Sequence, residues 1–394
     1  MREVNLKVLD TLADIRSSDW DALVHASGGN PMLRHAFLQS MIDADCTTAN
    51  AGWLPQFLTL WRAGEDDGRE RLCGAVPLYV KGHSYGEYVF DWAWADAYQR
   101  HGFDYYPKLL AAVPFTPCTG TRLMARTAAD RKILIDGLLN LATQSDVSSL
   151  HVLFPNPTEQ QLLIDAGMMA RTSIQFHWRN QGYRQFDDFL ATFGHDKRKK
   201  LKQERRKVSE AGIAFRWLTG ENVTDADWDF FARCYGRTYR EHLSTPYLNR
   251  EFFGLIGERM PENILLIIAE REGKPIASAL NLWDEKTLYG RYWGAIEFYS
   301  GLHFETCYYQ ALEFCIERGI EVFEGGAQGQ HKLARGFLPV KCHSAHWLKD
   351  TRFARAVEDF LERESGGIER YVDELSDSSP YKSTSHGRIF MLPR

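Results

Sequence analysis

The chain has 394 residues, 44% hydrophobic and 25% charged, with a net charge of -5. That length suits two domains, and the balance is that of an ordinary globular protein. No apolar run is long enough for a membrane-spanning helix, and the acidic balance argues against a bulk DNA binder.

The predicted elements fall into two similar series. In the first, SSDWDALV and PMLRHAFLQSMIDAD read as helices, the second with Pro31 in its opening turn. PQFLTLWRA, RLCGAVPLYVKG and GEYVFDWAWA read as strands, with GEDDGRE as a hairpin loop. PKLLAAVPF is a further apolar run. RKILIDGLLNLATQ is an amphipathic helix, SSLHVLFP a strand, and EQQLLIDAGMMA a short helix closed by Gly167. In the second series FDDFLATF and the basic stretch after it are helical, and IAFRWLTG is a strand. DADWDFFARCYGRTYREHL and REFFGLIGERM are helices. A three-strand meander follows, from ILLIIAE to GRYWGA, then the helix ETCYYQALEFCIERG and the strand IEVFEGGA. The tail from Arg363, with SDSSPYKSTSHG, reads as loop. The expected fold is α/β with mixed sheets, in two copies divided as residues 1–180 and 181–394.

The N-terminus MREVNLKVLD lacks the apolar core of a signal peptide, which gives the expectation of a cytoplasmic protein. The seven cysteines form no CxxC pair, so neither a disulfide framework nor a structural zinc site is expected. Cys307 and Cys315 read as core packing. Asp91, Asp96 and His101 match no standard metal spacing, and no metal is expected.

The segment from Lys197 to Lys207 holds eight Lys or Arg, inside an otherwise acidic chain. Taken as one helix, it places Leu190, Phe193, Leu201 and Val208 near one face, with Lys197 on that side. Arg198, Arg205 and Arg206 then fall on the exposed remainder. One reading is a solvated charged helix. The other is a phosphate grip, because an arginine fork matches phosphate oxygens.

The richest chemical segment runs from Tyr289 to Val340. A strand passes through a glycine loop into a helix, and the next strand ends at Gly325-Gly326. A polar loop with Gln328, His331, Lys332 and Arg335 follows. This order, with GGAQGQHKLARGF and the basic KRKKLKQERRKVSEAGI, resembles the Fem-type peptidyltransferases, which carry two GNAT-like domains in tandem. NPMLRHAFL, GAVPLYVKGHSYGEYVFDWAWADAY and YYPKLLAAVPFTPCTG resemble the FemAB-like branch of predicted N-acyltransferases, linked to peptidoglycan biosynthesis or recognition.

The resemblance implies transfer of an acyl or aminoacyl group to an amine, from acyl-CoA or aminoacyl-tRNA, with no tightly bound cofactor. GAIEFYSGLHF lacks the second closely spaced glycine of an acyl-CoA pyrophosphate loop. Lys332 matches the Fem-type lysine and is assigned to the oxyanion or the donor phosphate. His331 could shuttle a proton, and Glu324, at a strand end, could accept one. Candidate binding residues are Arg198, Arg205, Arg206, Tyr292, His303 and Gln328. Asp96, His101 and Lys108 would line an acceptor groove. The expected partner is a small-molecule or peptide amine, with tRNA as a further partner. The alternatives are a non-catalytic binder of a cell-wall precursor or nucleotide-linked ligand, and an RNA-binding module built on the basic helix.

Overall fold

The computed structural model describes residues 4–64, 69–327 and 329–382. The chain divides into two compact units. Unit 1 comprises Met1–Ser173 and Cys342–Glu369, and unit 2 comprises Ile174–Lys341 and Arg370–Arg394. The division thus falls earlier than residue 180, and a late segment of the chain returns to complete unit 1.

Unit 1 contains β1 (Val4–Leu9), α1 (Ser17–Ala26), α2 (His35–Asp43), β2 (Trp53–Pro55), β3 (Phe57–Ala63), β4 (Glu70–Val76), β5 (Leu78–Lys81), α3 (Trp92–Arg100), β6 (Lys108–Ala111), β7 (Met124–Ala125), α4 (Ala128–Gln144), β8 (Ser149–Leu153) and α5 (Pro157–Asp165). β9 (Met169–Arg179) crosses into unit 2. There follow α6 (Phe186–Ala191), α7 (His195–Glu210), β10 (Ile213–Thr219), α8 (Asp225–Glu241), α9 (Arg250–Arg259), β11 (Ile264–Arg271), β12 (Lys274–Trp283), β13 (Thr287–Ala295), α10 (Leu302–Phe304), α11 (Gln310–Arg318), β14 (Val322–Glu324), β15 (Leu338–Leu348) and α12 (Thr351–Asp377).

The two units repeat one plan. In unit 2, β10, β11, β12 and β13 form an antiparallel meander, β13 pairs in parallel with β14, and β14 pairs antiparallel with β9. In unit 1, β2, β5 and β6 are antiparallel, β6 pairs in parallel with β8, and β8 pairs antiparallel with the second half of β15. Each parallel pair is joined through a helix, as the crossover requires: α4 in unit 1 and α10–α11 in unit 2. Unit 1 adds a separate sheet, β1-β3-β4-β7. Leu134, Leu138 and Ala142 of α4 pack on Leu58, Val76, Leu109 and Val152 in its core. The core of unit 2 gathers Leu265, Ile267, Leu288 and Phe323 against Leu312 and Cys315 of α11.

Two expectations are corrected. WAWADAYQR is helix α3, not strand. Read at period two, Trp92 and Trp94 share a face. As a helix, Trp94 and Tyr98 share a face instead and pack on Val357 and Leu361, while Trp92 is left exposed. Four-residue spacing and tertiary burial together override the aromatic strand preference. Thr351–Asp377 is a long helix, where the tail was expected to be loop from Arg363. Its buried Val357, Leu361, Val372 and Leu375 recur at helical spacing.

Lys108 is not on a groove. It stands at the start of β6, fully buried, and donates to Ser84 at 2.8 Å, to Glu87 at 2.9 Å and to Asp91. Burial alone would strip its proton, but Glu87 and Asp91 more than offset that and hold it above the usual lysine range. Burial pushes Glu87 up to about 7. Burial also opposes charge on Asp91, yet Lys108 and His151 keep that carboxyl well below its usual range. Tyr105 donates to Asp91 at 2.7 Å and lies 3.1 Å from His151, whose other nitrogen is 2.7 Å from His346. Replacing Lys108 by Met strands two buried carboxylates and should destabilise the protein by about 3–5 kcal/mol. Urea unfolding near neutral pH measures this, and adding Asp91→Asn to Lys108→Met should recover part of the loss.

Candidate active site

The site in unit 2 begins with two strands that part. β13 and β14 pair over three registers, Thr287↔Val322 to Tyr289↔Glu324. β14 then ends, while β13 continues to Ala295. On its other edge β13 pairs Tyr292 with Leu280 and Gly290 with Asn281, so Arg291 is an extra residue in a β-bulge. Beyond the divergence, Gly301 at φ 88° leads into α10, then through a π-helical turn Glu305–Tyr309 into α11.

Against the Gly325-Gly326 turn that follows β14, the short 3-10 helix Gln330–Arg335 carries Lys332. Lys332 is 3% exposed, and its Nζ donates to the Gly326 carbonyl at 2.9 Å. The two glycines make this possible. A Cβ on Gly325 would come within 3.2 Å of Phe337 and 3.4 Å of the Lys332 side chain. Gly326 sits at φ 83°, a backbone state that glycine enters freely. No carboxylate pairs with Lys332 among the described residues. Burial therefore pushes its ammonium down to about 8. The neighbouring Cys307 thiol is pushed well up by burial.

Around the lysine stands a layer of rings. His331 Nε2 lies 3.1 Å from the Tyr308 hydroxyl. Its ring centroid is 6.1 Å from that of His303, which in turn lies 4.9 Å from Trp293. Burial lowers both imidazoles, assisted by the cations Lys332 and Arg335, and His303 falls to about 4. Both are neutral bases at physiological pH. Arg335 lies 3.3 Å over the Phe304 ring and donates to the His331 carbonyl at 2.8 Å and to Glu204 at 3.0 Å. Glu204 also accepts from Tyr309 at 2.6 Å. Helix α7 is thereby tied to the loop that bears Lys332.

The structure thus brings together Lys332, His331 and His303. Glu324 closes β14 in register with His177 of β9. Tyr292 lies elsewhere: its ring meets Tyr235 of α8 edge-on at 5.1 Å. On the same strand Gly294 lets α8 pack close, since a Cβ there would stand 2.1 Å from the Cys234 carbonyl. Gln328 lies outside the described residues. Asp96 and His101 belong to unit 1 and are exposed on and after α3; Asp96 pairs with Arg100 at 2.7 Å, and His101 Nδ1 is 2.8 Å from the Ala97 carbonyl. With Lys108 buried, these three do not form the expected groove.

The basic stretch is also corrected. Leu190 and Phe193 belong to α6 and the turn after it, and α7 starts afresh after Gly194. Its buried face is Leu201 and Val208, joined by half-buried Arg198, Glu204 and Arg205, while Lys197 is exposed. Arg205 does not face a ligand. Its guanidinium donates to Glu305 and to Glu313, each at 2.8 Å, and lies 4.4 Å over the Phe186 ring. The spacing 201, 205, 208 puts it on the docked stripe, where only paired charge is tolerated. Arg206 is exposed and pairs with Glu210 at 3.3 Å.

One feature was missed in the sequence. An open cavity of about 560 Å³ lies against α8 and α9, lined by Asp229, Arg233, Gly236, Arg240, Leu248 and Phe253. The α8 positions recur every three or four residues, so the run RCYGRTYR held the signal. Arg250 is tied to Asp225 and Asp229, whereas Arg233 and Arg240 have no carboxylate partner among the described residues.

The folded units and the parted strands define the protein's class: a mixed α/β protein of two tandem GNAT-like units. Similar solved structures are FemX (11% identity, 87% of this chain and 98% of that chain, TM-score 0.54) and L-PGS from Bacillus licheniformis (11%, 85% and 92%, 0.51). A tandem GNAT protein from the clavulanic acid biosynthesis pathway aligns at 11% identity over 88% of this chain and 99% of that chain, with a TM-score of 0.45. The chain belongs to the FemAB-like family of peptidoglycan biosynthesis/recognition, whose model matches residues 11–383. No curated protein matches the sequence. Among the described residues no helix is long and apolar enough to cross a membrane.

The two arginines make a contrast that can be measured. Arg205→Ala strands the buried Glu305 and should cost about 3 kcal/mol or more, whereas Arg206→Ala should change stability by less than about 0.5 kcal/mol. Thermal unfolding of the two variants separates them.

Proposed function

We propose that this protein is a transferase that moves an acyl or aminoacyl group from acyl-CoA or aminoacyl-tRNA to an amine of a cell-wall precursor. The observation that carries this reading is Lys332, buried against the Gly325-Gly326 turn with no carboxylate partner among the described residues, and accompanied by the neutral imidazoles of His331 and His303.

Such a transfer needs a neutral amine, a stabilised oxyanion and a protonated leaving group. His331 or His303 takes the proton from the attacking nitrogen as the new C–N bond forms. The Lys332 ammonium holds the developing oxyanion. When the tetrahedral centre collapses, the bond to the donor sulfur or ribose oxygen breaks, and the imidazolium returns its proton to that leaving atom. A lysine near pH 8 is charged at neutral pH and desolvated enough to act strongly on a new negative charge. Arg233 and Arg240 offer the acceptor two unpaired guanidiniums for a carboxylate or phosphate. Arg198 and Arg206 of α7 are the residues proposed for the phosphates of the donor, Arg206 exchanging its exposed Glu210 partner for them.

The test is a transfer assay with acetyl-CoA, a longer acyl-CoA or charged tRNA as donor and a UDP-linked cell-wall precursor as acceptor. Lys332→Met should lower kcat by about 10²–10³ with little change in KM. If the variant loses only affinity, or no donor gives product, the protein is a binder rather than an enzyme.

The same lysine sets a pH dependence. Because its folded value, about 8, lies below the usual lysine value, wild-type activity should fall as pH rises through about 8. The folded state releases this proton before the unfolded chain does. Stability of the wild type relative to Lys332→Met should therefore rise with pH between about 8 and 10.5. Paired thermal melts across that range measure the difference.

A further inference from the structure

Glu204 stands on the inner side of α7, outside the chemistry proposed above, with its side chain 20% exposed. Its Oε2 accepts two hydrogen bonds, from the Tyr309 hydroxyl at 2.6 Å and from the Arg335 guanidinium at 3.0 Å. The two donors belong to the two segments that build the site. Tyr309 ends the π-helical turn Glu305–Tyr309, and Arg335 ends the 3-10 helix Gln330–Arg335.

These contacts close on themselves. Arg335 Nη1 donates to the His331 carbonyl at 2.8 Å. At the far end of the same residue, His331 Nε2 lies 3.1 Å from the Tyr308 hydroxyl. Tyr308 precedes Tyr309 in the chain, and Tyr309 returns to Glu204. One carboxylate thus completes a ring that runs through both the backbone and the imidazole of His331. The nearby carboxylates are otherwise engaged. Glu305 and Glu313 both accept from Arg205, and Glu305 also accepts from Gln310 at 2.8 Å.

The ring also sets charge. Arg335 is 5% exposed and lies 3.3 Å over the Phe304 ring, where a cation is tolerated only if paired. The titratable and charged groups about His331 are Tyr308 of the π-helical turn, His303 of α10, and Lys332 and Arg335 of its own helix. Burial lowers the imidazole, and the Lys332 and Arg335 cations lower it further. Among the described residues Glu204 is the carboxylate paired with Arg335, so it opposes that cation's effect.

We propose that Glu204 is a positioning residue for the transfer reaction. It holds Arg335 against the His331 carbonyl, which fixes the His331 ring and Lys332 beside it, and it screens the imidazole from the guanidinium. The kinetic consequence rests on the acyl-transfer reading above; the ring of contacts does not.

The test compares the full chain with Glu204→Gln, Arg335→Met and the double variant. Glutamine keeps the shape and an acceptor oxygen but removes the charge. In the transfer assay each single variant should lower kcat about 10- to 100-fold with little change in KM, because a small displacement of a reacting group suffices. The double variant should fall well short of the product of the two losses, since the pair acts as one unit. The acid limb of kcat/KM reports the imidazole. Loss of the anion should move that limb to lower pH in Glu204→Gln, and loss of the cation should move it to higher pH in Arg335→Met. A merely structural role gives no such opposite shifts. NMR titration of the histidines, with the His331 signal identified through His331→Gln, reads the same two shifts without turnover. If the wild type gives no product with any donor, the transfer reading fails, and the NMR titration alone decides on Glu204. Unchanged kcat in folded Glu204→Gln, or a His331 titration that does not move in opposite directions in the two variants, overturns the proposal. Should Glu204→Gln not fold, Tyr309→Phe removes one tie and leaves the ion pair: kcat should fall with the acid limb unmoved, and a wild-type kcat overturns the proposal.

Discussion

A parallel strand pair that holds for three residues and then separates governs unit 2. Pairing between β13 and β14 stops before Gly325-Gly326, and β13 carries a bulge at Arg291 on its other edge. Past the pairing, the Gly325 N–H donates to the Phe176 carbonyl of β9 and the Gly326 carbonyl accepts from Lys332. Against that turn the 3-10 helix sets Lys332. The missing Cβ of Gly325 lets Lys332 and Phe337 close over the turn. The ammonium consequently sits where water is scarce, and among the described residues its hydrogen-bond acceptor is a neutral carbonyl.

The two units show how much the partner of a buried lysine matters. Unit 1 has the same kind of parallel pair, β6 with β8, and buries a lysine, Lys108, at the start of β6, whereas Lys332 follows the end of β14. Glu87 and Asp91 surround that lysine and raise its proton affinity. Lys332 has no carboxylate partner among the described residues, and its proton affinity falls. Burial is similar, so the difference is one of neighbours. A lysine locked between two carboxylates is a structural ion pair. A lysine held by a carbonyl alone has charge to offer to an incoming group.

Helix α7 links charge management to the site. Arg205 and Glu204 both point inward and are both paired, Arg205 to the π-helical turn at Glu305 and Glu204 to Arg335 beside His331. The inward charges fix the helix against the π-helical turn and the 3-10 helix that bears Lys332. The outward lysines are left to the surroundings. One short sequence therefore divides into structural and external charge by helical phase alone.

How much of this was legible in the sequence follows from the range of each interaction. The order of strands and helices, the doubling of the fold and the lysine after Gly-Gly are local features, carried by periodicity and glycine placement. The meander β11–β13 and the helix α8 follow directly from those patterns. Arg205 was not legible, because its role depends on Glu305 and Glu313, about a hundred residues away, and on a helix break at Gly194 that resets the phase. Helix α3 was hidden by alternating aromatics, and the length of α12 by its paired glycines. In both, packing against distant residues decided the outcome. The sequence by itself determined the fold class, the basic helix and Lys332. Tertiary structure alone decided which charges are buried and with whom, because proton affinity and accessibility belong to an environment that residues distant in the chain assemble.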